Sequence, residues 1–219
     1  MTAGSSWRTG GRRISLAMRR SSLPRKDVLD HLSRLYAASD DPWDHRSSSY
    51  EAGKYDATLA AIGDGPFDNA LEIGCGNGTL ARRLVPLCRN LTVIECIPAA
   101  AALARAALAG CTQARVIHGT APQDLPAIRP DLVLLSEVLY FLTPGEIRDL
   151  GRWLLAHSVG PVVAVNWTGA TDEPLDGAAA VALLADMLGP PATDDRGAYR
   201  IDRFDPCRAG TISVPGRST

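Results

Sequence analysis

The sequence predicts a single α/β domain built on a mostly parallel, doubly wound sheet. Three observations carry this. Short apolar runs alternate with helical patterns across residues 70–188. The run Leu132–Ser136 has four consecutive apolar residues, as a strand covered on both faces should. A glycine-rich turn, Gly74-Cys75-Gly76-Asn77-Gly78, separates the first run from the helix after it. In such sheets ligands bind beyond the carboxyl ends of the strands, so that turn marks where to look for function.

The elements follow in order. Val28, Leu29, Leu32 and Leu35 recur at helical spacing and predict a helix over 27–38. Asp40-Asp41-Pro42-Trp43-Asp44 then breaks the chain, and a second helix runs from Tyr50 to Ile62, ended by Gly63-Asp64-Gly65-Pro66. Ala70–Ile73 is the first strand, Leu80–Leu87 a helix despite Pro86, and Leu91–Cys96 the second strand. Pro98 opens an alanine-rich helix over Ala99–Ala109, which Gly110 closes. Strands are predicted at Arg115–His118, Leu132–Ser136 and Val162–Trp167, with helices at Pro144–Ala156 and Gly177–Leu188. Tyr199–Phe204 and Thr211–Val214 are expected to close the sheet as a strand pair.

Composition bounds the function. The chain has 219 residues, 46% hydrophobic and 21% charged, which suits one soluble domain with one sizeable core. No apolar run approaches the roughly 20 residues that span a bilayer. The net charge of −1 hides an asymmetry. Residues 1–26 hold seven Arg or Lys and no acid, which predicts a disordered basic leader ahead of a domain over 27–219. Met18 is a possible alternative start, because recognisable patterns begin after it. The leader lacks the apolar core of a secretory signal. Five cysteines, an odd number with no CxxC pair, argue against a disulfide framework or a metal site and suit a reducing cytoplasm.

The chemistry concentrates in the loop after the first strand. A dinucleotide fingerprint G-x-G-x-x-G needs glycine at position 79, where this chain has Thr79; its third glycine comes one residue early, at Gly78. A pyrophosphate-binding loop is therefore disfavoured, and a nicotinamide dehydrogenase with it. Glu95 ends the second strand 21 residues after Gly74, where an acid accepts hydrogen bonds from ribose hydroxyls and repels a 2′-phosphate. G-x-G-x-G with Glu72 two residues ahead resembles motif I of class I methyltransferases. That resemblance implies S-adenosylmethionine as cofactor. It also implies a Rossmann-like class I methyltransferase fold: a seven-stranded, mostly parallel sheet with helices on both faces and an N-terminal helical lid.

Further segments narrow the resemblance. Asp41-Pro42-Trp43, Tyr50-Glu51 with Lys54, Leu71-Glu72-Ile73-Gly74-Cys75, Leu91-Thr92-Val93-Ile94-Glu95 and Ser136-Glu137-Val138-Leu139-Tyr140 together resemble the NodS-like family. These are nodulation-type N-methyltransferases of amino sugars, and the likeness covers residues 28–167. It implies a lid over 27–66 on a core over 67–219. It implies cofactor contacts from Trp43, Lys54, Glu72, Gly74, Cys75, Gly76, Asn77, Gly78, Glu95, Cys96, Thr120, Ala121 and Ser136. Lys54 would pair with the methionine carboxylate. Thr120 departs from the pattern, since the family commonly has an Asp there for the adenine amine, and Asp124 lies further along. Glu137 and Tyr140 would orient an acceptor amine or help remove its proton.

The expected reaction is methyl transfer to a small-molecule amine, an amino sugar or related metabolite, without a metal. The alternatives are a small-molecule O-methyltransferase, which would want a histidine base or a metal, and a non-catalytic cofactor-binding protein. Nucleic-acid base methylation would predict a Pro-Pro-Tyr-type segment after the fourth strand, and Ser136-Glu137-Val138-Leu139 argues against it. The sequence leaves the acceptor and the oligomeric state open.

Overall fold

The computed structural model describes residues 25–206 apart from 172 and 174, with side chains from residue 27. The basic leader and the strand expected at Thr211–Val214 lie outside the described residues. Two helices come first, α1 (Arg25–Ala38) and α2 (Ser49–Ile62). Then β1 (Ala70–Ile73), α3 (Thr79–Leu84), β2 (Leu91–Glu95), α4 (Pro98–Ala107) and β3 (Ala114–His118) follow. The second half is β4 (Leu132–Ser136), α5 (Pro144–His157), β5 (Val162–Trp167), α6 (Gly177–Leu188), β6 (Ala192–Asp195) and β7 (Tyr199–Phe204).

The strands form one seven-stranded sheet in the order β3-β2-β1-β4-β5-β7-β6. The first five are parallel; β7 runs antiparallel to both β5 and β6. The chain reverses its winding between β1 and β4, and the glycine turn lies at that switch point. β1 and β2 are buried along their whole length, which explains their lack of apolar–polar alternation.

Two departures from the sequence reading have physical causes. The helix expected over Leu80–Leu87 stays α-helical only to Leu84 and tightens into a 3-10 turn over Val85–Leu87. Pro86 has no N–H with which to continue the α-helical ladder. The edge strand β6, sequence Ala-Thr-Asp-Asp, was not anticipated because it is exposed throughout and polar. It pairs with β7 from the N-terminal side, Ala192 opposite Arg203. An acidic edge strand of this kind resists pairing with other chains.

Both faces of the sheet are covered. On one, Tyr55 and Ile62 of α2, Leu80 and Leu84 of α3 and Ala104 of α4 pack on Val93, Leu134 and Val165. On the other, Ile147, Leu150 and Leu154 of α5 and Val181 and Leu184 of α6 pack on Leu71, Val133 and Ala164. α5 begins with a complete capping box: Thr143 Oγ accepts from the Glu146 N–H, and the Glu146 carboxylate accepts from the Thr143 N–H. α1 forms a third cluster, in which Val28, Leu32 and Tyr36 rest on Ile97 and Ala100 at the start of α4.

The switch point is tight enough to require glycine. Gly78 has φ +82°, and a Cβ there would lie 2.9 Å from Ala104 Cα, so α3 and α4 touch through bare backbone. Gly78→Ala should therefore cost about 2 kcal/mol or more. Urea unfolding should show a lower midpoint at an unchanged m-value; an unchanged midpoint would contradict this packing.

Candidate functional site

Every residue the sequence analysis singled out lies at or near the carboxyl edge of the parallel strands, or in the lid above it. Gly74, at φ +84°, turns the chain off β1. A Cβ there would meet Ser136 O at 2.7 Å, so the glycine lets the turn lie against the end of β4. Glu95 closes β2 and is almost wholly buried. Its Oε2 accepts from the Gly76 N–H at 2.9 Å and its Oε1 from the Ile97 N–H at 2.8 Å. Burial raises its pKa, and the two N–H groups work against that rise by favouring the anion. Cys96 adds its own donors to the same carboxylate, so Glu95 shapes the glycine turn and the start of α4.

Asn77 joins this turn to the lid. Its Oδ1 accepts from Thr79 N–H and from Thr79 Oγ1, and its Nδ2 donates to Asp41 Oδ1 at 2.8 Å. Asp41 also accepts from the His45 N–H at 2.9 Å and the Arg46 N–H at 3.0 Å. The Asp-Pro-Trp motif therefore has a structural reading: the Asp ties the strap over 39–48 to the glycine turn. Trp43 stacks on His45, centroids 5.6 Å apart, and meets Tyr36 edge-on at 5.5 Å. A Cβ on Gly76 would lie 3.0 Å from the Tyr36 hydroxyl, so the strap and α1 lie directly on the turn.

His45 was passed over in the sequence because it has no motif of its own, although the adjacent Asp-Pro-Trp was the available signal. It lines the cavity between lid and sheet with Lys54, Tyr55, Gly74, Gly76, Ser136 and Glu137. Burial, with the Lys54 cation second, depresses its pKa to about 4, so the ring is neutral at physiological pH.

Glu137 is the centre of a second cluster at the same strand edge. Lys54 Nζ donates to its Oε1 at 2.8 Å; Tyr140 Oη and the Trp167 N–H donate to its Oε2 at 2.9 and 2.7 Å. Its backbone sits at φ +52°, in the left-handed region that a residue with a Cβ rarely adopts. Residues held in such conformations cluster at functional sites. Lys54 also lies 3.0 Å from Glu51 Oε2, and both side chains are buried. Burial alone would lower the Lys54 pKa, but Glu137 and Glu51 outweigh it and hold Lys54 above its ordinary value. For Glu51, burial wins over the attraction of Lys54, and its pKa is raised. Glu51 was quoted in the sequence only as part of a motif, and the geometry gives it a partner.

The residues after β2 and β3 are placed less tightly. The Thr120 N–H donates to Asp124 Oδ2 at 2.8 Å, so the carboxylate that seemed too distant in sequence folds back beside Thr120. Cys96 is half-buried and its carbonyl lies 3.3 Å from His118 Nε2; Ala121, in the β3–β4 loop, is buried. Among the described residues no cluster of His, Cys, Asp or Glu could hold a metal ion, and no helix is long and apolar enough to cross a membrane.

Residues 25–150 match the sequence model of nodulation protein S (NodS). The chain belongs to the NodS family. It is 33% identical over 113 residues to nodulation protein S of Sinorhizobium fredii, covering 51% of this chain and 52% of that protein. The nodulation protein S of Rhizobium tropici is 32% identical over 114 residues, covering 52% and 47%. These matches span about half the length of the relatives. In structure, the chain resembles the N-methyltransferase NodS from Bradyrhizobium japonicum WM9 in complex with S-adenosyl-L-homocysteine, with a TM-score of 0.70 at 23% identity. That match covers 81% of this chain and 97% of the other. The NodS-like sheet is thus the fold of class I methyltransferases, as the glycine turn had implied.

The Lys54–Glu137 pair can be tested in the folded protein. Lys54→Met should destabilise by about 3–5 kcal/mol, because it strands two carboxylates in a closed site. Lys54→Met combined with Glu137→Gln should cost less than the sum of the two single changes by about 1–3 kcal/mol. Chemical denaturation of the four proteins measures this, and simple additivity would show that the pair is not coupled.

Proposed function

We propose that this chain transfers a methyl group from S-adenosylmethionine to the amine of a small molecule, an amino sugar or a related metabolite. The observation that carries the reading is the junction of two sites on one strand edge. A pyrophosphate-free glycine turn with Glu95 lies on one side, and the Lys54–Glu137–Tyr140 cluster lies on the other.

The residues fit the cofactor. The glycine turn lets backbone approach a ligand closely, Glu95 ends β2 where an acid binds ribose hydroxyls, and Glu72 offers a buried carboxyl beside the turn. Cys75, Asn77, Cys96, Thr120, Ala121 and Ser136 complete the wall, with Asp124 beside Thr120 supplying the charge that Thr120 lacks. Trp43 and His45 form the lid side. Lys54 has a smaller part in this reading than the sequence gave it, since Glu51 and Glu137 already hold its ammonium. When bound, S-adenosylmethionine supplies a methyl group already activated on a sulfonium.

The chain's own groups then have to position an amine. Positioning alone can supply about 7–11 kcal/mol of the barrier. Three donors on Glu137 leave one of its roughly four lone-pair directions open, and an ammonium can donate there. Burial holds the Tyr140 pKa well above its ordinary value, so the phenol stays protonated. It donates to Glu137 and can accept an amine N–H, but it cannot take the proton. Tyr140 is therefore an orienting group. The ammonium's N–H bond breaks towards the open Glu137 lone pair, which takes the proton, and the nitrogen keeps the electron pair that attacks the methyl group. A hydroxyl acceptor would need a base. His45 is the one the cavity offers, and its depressed pKa makes it a weak one.

Calorimetry should give micromolar binding of S-adenosylhomocysteine and none of NAD. With an amino-sugar acceptor, Tyr140→Phe should lower kcat about tenfold and Glu137→Gln about 100-fold or more, each with cofactor affinity unchanged. Full activity in Glu137→Gln would remove it from the mechanism. Cofactor binding with no methylation of any amine would favour a non-catalytic binding protein.

A further inference from the structure

Glu72, in β1 two residues before Gly74, has no exposed surface, and neither carboxyl oxygen has a hydrogen-bond partner. The other carboxylates around the site all have partners. Asp41, Glu95 and Glu137 accept backbone or side-chain donors, and Glu51 has Lys54. The ionisable groups that interact with Glu72 are Glu95 on β2, Tyr55 on α2, Cys75 in the glycine turn and Cys88 after the 3-10 turn. None of them is a cation. Of these, Tyr55 and Cys75 line the cavity beside the glycine turn, and Lys54, the cation in that lining, is engaged by Glu51 and Glu137.

A carboxylate buried with neither donor nor counter-ion is not tolerated, and the group stays neutral instead. Burial, with the Glu95 charge second, pushes the Glu72 pKa up to about 8, which agrees with the geometry. We infer that Glu72 is a neutral carboxylic acid in the free protein and releases its proton to solvent when a cationic ligand enters the cavity beside the glycine turn. The O–H bond breaks, the carboxylate keeps the electron pair, and the ligand's positive charge becomes the missing counter-ion. The ligand class is a small molecule bearing an ammonium or sulfonium centre. This rests on the cofactor reading above, since S-adenosylmethionine carries both centres and S-adenosylhomocysteine the ammonium alone.

The consequence is a pH-dependent affinity set by the protein and not by the ligand. Below the Glu72 pKa, ligand binding must expel a proton, so affinity should rise by up to about tenfold per pH unit and level off above about pH 8. Calorimetric titration of S-adenosylmethionine and S-adenosylhomocysteine at pH 7, in buffers of different ionisation enthalpy, counts the protons released. Close to one proton is expected for the wild type and none for Glu72→Gln, whose affinity should be flat between pH 6 and 8.

A second arm needs no ligand. A raised folded-state pKa gives stability that is present below the ordinary value of 4.5 and is lost as pH rises towards 8. The melting temperature of Glu72→Gln should therefore gain on the wild type steadily between pH 5 and 8. A gap that does not change with pH would overturn the neutral-acid assignment. Binding without proton release, or release that persists in Glu72→Gln, would overturn the coupling while leaving the cofactor reading intact. Failure of both ligands to bind would overturn the cofactor reading and the coupling together, with the melting arm still deciding the state of Glu72.

Discussion

Four segments of the chain meet on one carboxylate. Glu137 follows the last residue of β4, yet it takes its hydrogen bonds from α2 through Lys54, from β5 through the Trp167 N–H, and from the 3-10 turn after β4 through Tyr140. To present both oxygens this way the backbone adopts φ +52°, a conformation whose cost of about 1–3 kcal/mol only such a set of partners can hold in place. The lid helix is therefore not merely laid over the sheet. α2 is anchored by apolar packing through Tyr55 and Ile62 and located by a buried ion pair. Packing supplies most of the affinity between the two layers, while the ion pair fixes which part of α2 sits over which strand end.

The same economy of contact appears around the glycine turn. Glu95 and Asp41 are both acids that accept backbone N–H groups near them and a further donor from the glycine turn. Glu95 sets the glycine turn against the start of α4, and Asp41 sets the strap against the same turn through Asn77. The turn is thus held from below by glycine contacts with β4 and α4 and from the side by two carboxylates. A loop fixed on all sides is preorganised, and a ligand that binds it need not pay for ordering it.

Much of this was legible in the sequence, for identifiable reasons. The strands at Ala70–Ile73, Leu132–Ser136, Val162–Trp167 and Tyr199–Phe204 and the helix at Gly177–Leu188 fall where the patterns put them, because burial on both faces and caps leave strong local signals. β6 was illegible because an edge strand that faces solvent needs no apolar residue. The site divides similarly. The glycine turn and Glu95 were readable because their spacing is imposed by one strand-turn-helix unit. Lys54 was read as a partner for a ligand carboxylate, whereas the fold pairs it with Glu137, 83 residues away. His45 and the neutral state of Glu72 depend on what other segments bring near them, and no local pattern carries that.

The contrast between Glu72 and Glu137 shows how the fold differentiates two acids on adjacent strands. β1 and β4 are paired in register, Ile73 beside Leu135, so the two glutamates sit at the same edge of the sheet. Glu137 lies beyond its strand end, where a loop, a helix and a neighbouring strand can all reach it with donors. Glu72 lies one residue inside its strand, where its backbone is committed to the sheet and its side chain points into an apolar layer bounded by Val93, Leu134 and Tyr55. Glu72 stands opposite Leu134, so a displacement of three residues in register separates an acid that is solvated by the protein from one that is not. The first is matched by donors from three segments; the second has none and, on the inference above, acquires a charge only when a ligand brings the opposite one.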